Sequence, residues 1–181
     1  MGDDVSLAGL FGLLGLLLVL SAFFSGSETA LMSVNRYQLR HKAREGHRGA
    51  RLAEQLLRRP DRLIGLILLG NNLVNFSAAS LVTLIALGFG GESAVAVGTG
   101  IFTLIVIIFA EAAPKTLAAL HPERLAFPAS WVYTPLLRLL LPLVWLVNLM
   151  ANAVLRALGA YPEGGAGNAL SREELRTVVN E

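Results

Sequence analysis

Three long runs without a single charged residue constrain this chain more than anything else in it. They are Val5–Gly26, Leu63–Gly91 and Ala94–Ala110, the last continuing through Glu111 into Ala112-Ala113-Pro114. A helix needs about 20 mostly apolar residues to cross the hydrocarbon core of a bilayer. The runs are continuous rather than alternating, which argues against a β-barrel. Only 15% of the residues are charged and 54% are hydrophobic, whereas soluble domains carry about 25% charge. The chain therefore reads as an all-α integral membrane protein embedded in a lipid bilayer. Its acidic start, Asp3 and Asp4, and the length of the first run argue against a cleaved signal peptide. With no Cys in the sequence, disulfides, thiolate metal sites and cysteine nucleophiles are excluded.

Charge placement sets an expected topology. Nine of the 15 Lys and Arg residues lie between Arg36 and Arg62, in the loop that joins the first run to the second. The positive-inside rule assigns this loop, 36–62, to the cytoplasm. The N-terminus is then outside, as is GFGGES between the second and third runs, which has no Lys or Arg. A basic block can also hold nucleic acid, but its place between two spans assigns it to the membrane surface, and no nucleic-acid partner is expected. Its leucines and alanines, broken by Gly46 and Gly49, predict short amphipathic surface helices.

A fourth apolar stretch is of another kind. Pro128, Pro135 and Pro142 recur every seven residues, Arg138 sits in its middle, and Arg124 and Arg156 flank it. Each Pro removes a helix hydrogen bond, and basic residues at both ends do not specify opposite sides. The stretch 122–158 reads as a bent, re-entrant or interfacial juxtamembrane belt with both ends cytoplasmic; an ordinary fourth span is the alternative. Residues 1–158 then form one membrane domain with three transmembrane helices. The Gly-rich segment 159–170 reads as a linker. Ser171 and Glu174 have capping-box spacing and open a helix over 171–181. That helix is expected to lead into a soluble cytoplasmic domain.

Polar residues inside the spans carry the functional signal. Glu111 follows seventeen uncharged residues, and an acid at such depth costs about 2.5–3.5 kcal/mol on insertion scales, so it faces a partner or an ion rather than lipid. Lys115, at i+4, is one available partner; a cation is the other. Pro114 cannot donate to the Ala110 carbonyl, which frees a backbone oxygen beside the carboxylate. In the first span Ser25, Glu28, Thr29 and Ser33 share one helical face. Two readings stand there. Either the helix breaks and restarts near Ser25 and Gly26, leaving carbonyls free for a cation, or the hydroxyls bond back to the helix and pack. In the second span Asn71 and Asn75 face the same way, as oxygen donors to an ion or as amide partners of a neighbouring helix.

At a rise of about 1.5 Å per residue these sites converge on the inner half of the bilayer. The candidate ion oxygens belong to Ser25, Gly26, Asn71, Asn75, Ala110 and Glu111. No His or Cys lies in a span, which favours magnesium, calcium or sodium over zinc or copper. With no His to act as base for Ser25 or Ser27, no enzyme is expected.

The segments FSGSETALMS, LLGNNLVN and EAAPKT, with the basic loop and the SREELR start, resemble the membrane domain of the CorC/CNNM magnesium transporters. The resemblance covers essentially the whole chain, and it is the combination of motifs that is specific. It implies three transmembrane helices, a juxtamembrane belt, a homodimer, and a following cytoplasmic CBS-pair domain that binds ATP. ATP is therefore expected only through that further domain. It also implies Mg2+ held by oxygens of all three spans, with Ser25, Asn71, Asn75 and Glu111 at the matching positions. Glu28 is weakened as a ligand, because eukaryotic relatives carry a different residue there. The expectation is a magnesium transporter domain of the cell (inner) membrane that exports Mg2+ by alternating access, with Na+ as a coupling ion. The alternative is a membrane anchor or magnesium sensor whose ion is structural. A small, rigid, mostly monodentate oxygen cage is expected to prefer magnesium to calcium.

Overall fold

The computed structural model describes residues 7–158. The predicted linker 159–170 and the helix start at 171–181 lie outside the described residues. Among the described residues every regular element is helical.

The first apolar run forms α1, Leu7–Ser33, whose 27 residues reach roughly 40 Å. The second and third runs share α4, Pro60–Ile105, which opens with Pro60 in its first turn, where a missing N–H is harmless. Inside α4 the backbone leaves helical geometry only at Gly90 and Gly91, and Gly91 takes φ +66°, a left-handed value that favours glycine. There the chain turns back on itself. A Cβ on Gly98 would stand 3.3 Å from that of Ala86, and Phe102 packs with Ala78 and Val82. Arms 60–89 and 92–105 thus form an antiparallel hairpin, and the loop predicted at GFGGES shrinks to two glycines. Leu14, Leu17 and Leu18 of α1 pack against the hairpin. The returning arm continues through a π-helical segment, Val106–Ala112, into α5, Ala113–Leu120. Leu7–Ser33 and the 61 residues of Pro60–Leu120 are long and apolar enough to cross a membrane, the latter twice because of its turn. Large apolar side chains such as Phe11, Leu16, Phe76, Leu84, Ile101 and Phe109 face outward, as lipid contact requires.

The basic loop folds as α2, Arg36–Arg44, and α3, Arg48–Leu56. The Asn35 side chain accepts from Tyr37 N and Gln38 N at 2.9 and 3.2 Å, and His47 Nδ1 accepts from Ala50 N at 3.1 Å. The helices separate at Gly46, which takes φ +93°. Gly49, predicted as a second breaker, is instead inside α3. A Cβ there would come within 2.8 Å of Phe127 Cβ, so the residue is small because another helix rests on it.

That helix is α6, Pro122–Ala157, which runs unbroken through Pro128, Pro135 and Pro142. All three prolines lie on its exposed side. A helix that loses hydrogen bonds on its outer face is free to curve around what it covers. By length and apolarity alone α6 would suffice to cross a membrane. Its contacts place it otherwise. Phe127 stacks near His47, with ring centroids 4.8 Å apart, and Lys42 pairs with Glu123. Roughly 31 Å further along the helix, Val144 and Asn148 lie on Gly65, and Trp145, Asn148 and Asn152 line a hollow with Asp61 and Arg62. Both ends of α6 therefore touch the basic end of the bundle, and the helix lies across that end as a belt.

Candidate metal centre

The site is built where α1, α4 and the π segment meet. Ser21 Oγ donates to Asn75 Oδ1 at 2.7 Å. A Cβ on Gly70 would stand 2.5 Å from two ring atoms of Phe24, so that ring lies on the α4 backbone. These contacts fix an antiparallel register. Ser25 is one turn beyond Ser21, and Asn71 one turn before Asn75. On antiparallel helices those steps run the same way, so Ser25 and Asn71 share a level.

Ser25 is fully buried. Among the described residues its Oγ has no hydrogen-bond partner, and neither has Asn71 Oδ1. The third such oxygen among the described residues, Glu123 Oε1, belongs to a carboxylate whose other oxygen meets Lys42. The two orphaned oxygens within the membrane bundle are thus both on residues the sequence named as ion donors. A buried polar atom without a partner is unfavourable unless something else meets it.

α1 passes unbroken through Ser25 and Gly26. The half-helix reading is corrected accordingly: no helix end presents carbonyls there. Gly26 has a different task. A Cβ on it would lie 3.2 Å from Pro114 Cβ, so its small size lets α5 approach α1. This contact brings the EAAPK segment beside Ser25. Ala110 is buried at the junction, inside the π segment, where Ala113 N–H bonds to the Ile108 carbonyl five residues back. Single π turns in helices often mark functional sites. Phe109, Ala113 and Leu117 line a cleft with α6 residues. Glu111, next to Ala110, is half-buried and does not line that cleft. It makes no ion pair with Lys115, which is exposed. The internal salt bridge weighed from sequence is therefore not formed.

Two neighbouring hydroxyls of α1 are satisfied. Ser27 Oγ bonds to the Phe23 carbonyl and lies 2.5 Å from Tyr133 Oη. The Thr29 hydroxyl bonds to the Ser25 carbonyl at 3.3 Å. Among the described residues no three His, Cys, Asp or Glu side chains cluster as a metal site. The candidate donors named from the sequence are one carboxylate with neutral hydroxyl and amide oxygens, a chemistry that fits a hard cation. Two participants escaped sequence reading. Ser21 extends the Ser25 face by one turn, and that i−4 spacing was the available signal; Tyr133 had none.

A family profile described as the Cyclin M transmembrane N-terminal domain matches residues 12–181. The chain belongs to the CNNM family. This CNNM domain is 49% identical over 162 residues to the UPF0053 inner membrane protein YfjD of Escherichia coli, covering 90% of the chain and 38% of that protein. It is 43% identical to a UPF0053 protein of Haemophilus influenzae, over 99% of the chain and 42% of the relative. A chloroplastic DUF21 domain-containing protein of Arabidopsis thaliana is 29% identical over 92% of the chain and 25% of its own length. The CNNM domain thus spans about two fifths of the length of these two bacterial relatives.

Proposed function

We propose that this chain is the membrane domain of a magnesium transporter. It exports Mg2+ from the cytoplasm by exposing one intramembrane site alternately to each side, with Na+ as the coupling ion. The observation that carries the reading is the pair of buried oxygens, Ser25 Oγ and Asn71 Oδ1, that have no partner among the described residues and stand at one level of the α1–α4 contact. The cation is the cargo, and Ser25, Asn71, Asn75, Ala110 and Glu111 would supply its oxygens. One carboxylate among neutral donors binds a divalent ion while still allowing its release. Gly26 serves the site through the approach of Pro114 rather than as a ligand.

The protein is multi-pass, and the basic end of the bundle faces the cytoplasm in this proposal, because nine Lys and Arg gather there. The N-terminus is then outside, the far end of α6 is cytoplasmic, and the host is the inner membrane. The working unit is a homodimer joined through membrane helices, and ATP acts only through a domain outside this chain. A dimer predicts twice the chain's mass by light scattering in detergent; one chain's mass at every concentration would refute it.

The test of function is flux in sealed proteoliposomes under imposed Mg2+ and Na+ gradients. Transport lost in Glu111→Gln is the expected result. Mg2+ that binds but never crosses would leave the domain as an anchor or sensor with a structural ion.

A further inference from the structure

The basic helices enclose a cleft of about 740 Å3 that the ion site does not use. Its walls carry Arg36, Arg40 and Arg44 from α2, Arg51 from α3 and Arg58 just beyond it, with Glu54 as the one carboxylate. The first three stand at i, i+4 and i+8 and so project from one helical face. Leu39 and Ala43, both buried, line the cleft between them. The positive charge is little relieved. Arg58 Nη2 lies 3.6 Å from Glu54 Oε1, and Arg36 Nη1 donates to the neutral Leu57 carbonyl at 3.2 Å. Arg40, Arg44 and Arg51 make no ion pair among the described residues. Like charges at i,i+4 are unfavourable unless an anion joins them.

We propose that this cleft binds the phosphate of an anionic phospholipid headgroup. The guanidinium fork matches phosphate oxygens in pairs, and clustered basic residues beside a span attract anionic lipid. Position selects the lipid over a soluble phosphate. Arg36 follows the end of α1 at Ser33 by three residues, and Arg58 precedes α4 at Pro60 by two. The cleft therefore opens at the level where the helices leave the bilayer, within reach of headgroups.

The test follows the thermal unfolding midpoint of the full-length protein in detergent. Phosphatidylglycerol, phosphatidylcholine and soluble pyrophosphate are added in separate arms. The variant replaces three residues together, Arg40→Gln, Arg44→Gln and Arg51→Gln, leaving Arg36 on its carbonyl. Arg138→Gln, on the exposed face of α6, is the charge control. Phosphatidylglycerol should raise the midpoint of the wild type and of the control by several degrees. The triple variant should lose that rise and keep its response to phosphatidylcholine. An Arg-to-Lys triple should retain part of it. An equal rise in the triple variant would overturn the site. A rise with pyrophosphate equal to that with phosphatidylglycerol would overturn the lipid as ligand. Should the triple variant aggregate, Arg44→Gln and Arg51→Gln singly carry the same comparison.

Discussion

Ser25 places a hydroxyl where nothing among the described residues meets it. An unsatisfied buried donor costs about 1–3 kcal/mol. Ser25→Ala should therefore act in two directions. In magnesium-free solution it should raise the thermal midpoint, and in a magnesium titration it should bind more weakly. A variant less stable than wild type without magnesium would show that the hydroxyl is structural. Glu111→Gln keeps the shape and removes the charge. Its Mg2+ affinity should fall at least about tenfold, equivalent to about 1.4 kcal/mol, with an unchanged elution profile. Calorimetry giving wild-type affinity would rule out Glu111 as the carboxylate donor. At this scale an acid or an amide inside an apolar run stands out in the sequence, so Asn71, Asn75 and Glu111 were legible. Ser21 was not, because its meaning comes from Asn75, 54 residues away. Tyr133 was hidden for the same reason, 106 residues from Ser27.

Helices show where glycine reading from sequence succeeds and where it fails. Gly70 lies under the Phe24 ring, so Gly70→Ala forces a Cβ to within 2.5 Å of it. Overpacking of this kind costs about 1–3 kcal/mol. Gly88 has no atom within 4 Å of its would-be Cβ, so Gly88→Ala should be neutral or stabilising by up to about 1 kcal/mol. Thermal unfolding of the two variants tests the contrast, and equal shifts would refute it. The hairpin turn at Gly90–Gly91 and the separation of α2 from α3 at Gly46 could be read locally, since a turn needs the residue itself. Gly26 and Gly49 look the same in sequence but serve helix contacts made by Pro114 and Phe127. The Ser-Gly-Ser segment of α1 stays helical because inside a bilayer no water competes for its backbone bonds. The π segment was equally invisible: one widened turn leaves the apolar pattern of 94–110 unchanged.

At the scale of the whole molecule the belt sets the topology. The chain has no Cys, so single cysteines report cleanly. A cysteine at Glu92, beside the hairpin turn, should react with an impermeant thiol reagent in intact cells. One at Glu45, between α2 and α3, and one at Asn152 on α6 should react only after permeabilisation. Labelling of the Asn152 position from outside would make α6 a fourth span.

The seating of α6 on Gly65 has a mechanical meaning. Val144 and Asn148 press on an α4 position that has no side chain to give way, at 3.4 and 2.9 Å from where a Cβ would stand. Six residues later comes Asn71. Any torque on the C-terminal half of α6 would therefore reach α4 backbone less than two turns from Asn71 of the proposed ion site. A belt seated in this way would act as a lever with its short arm inside the membrane.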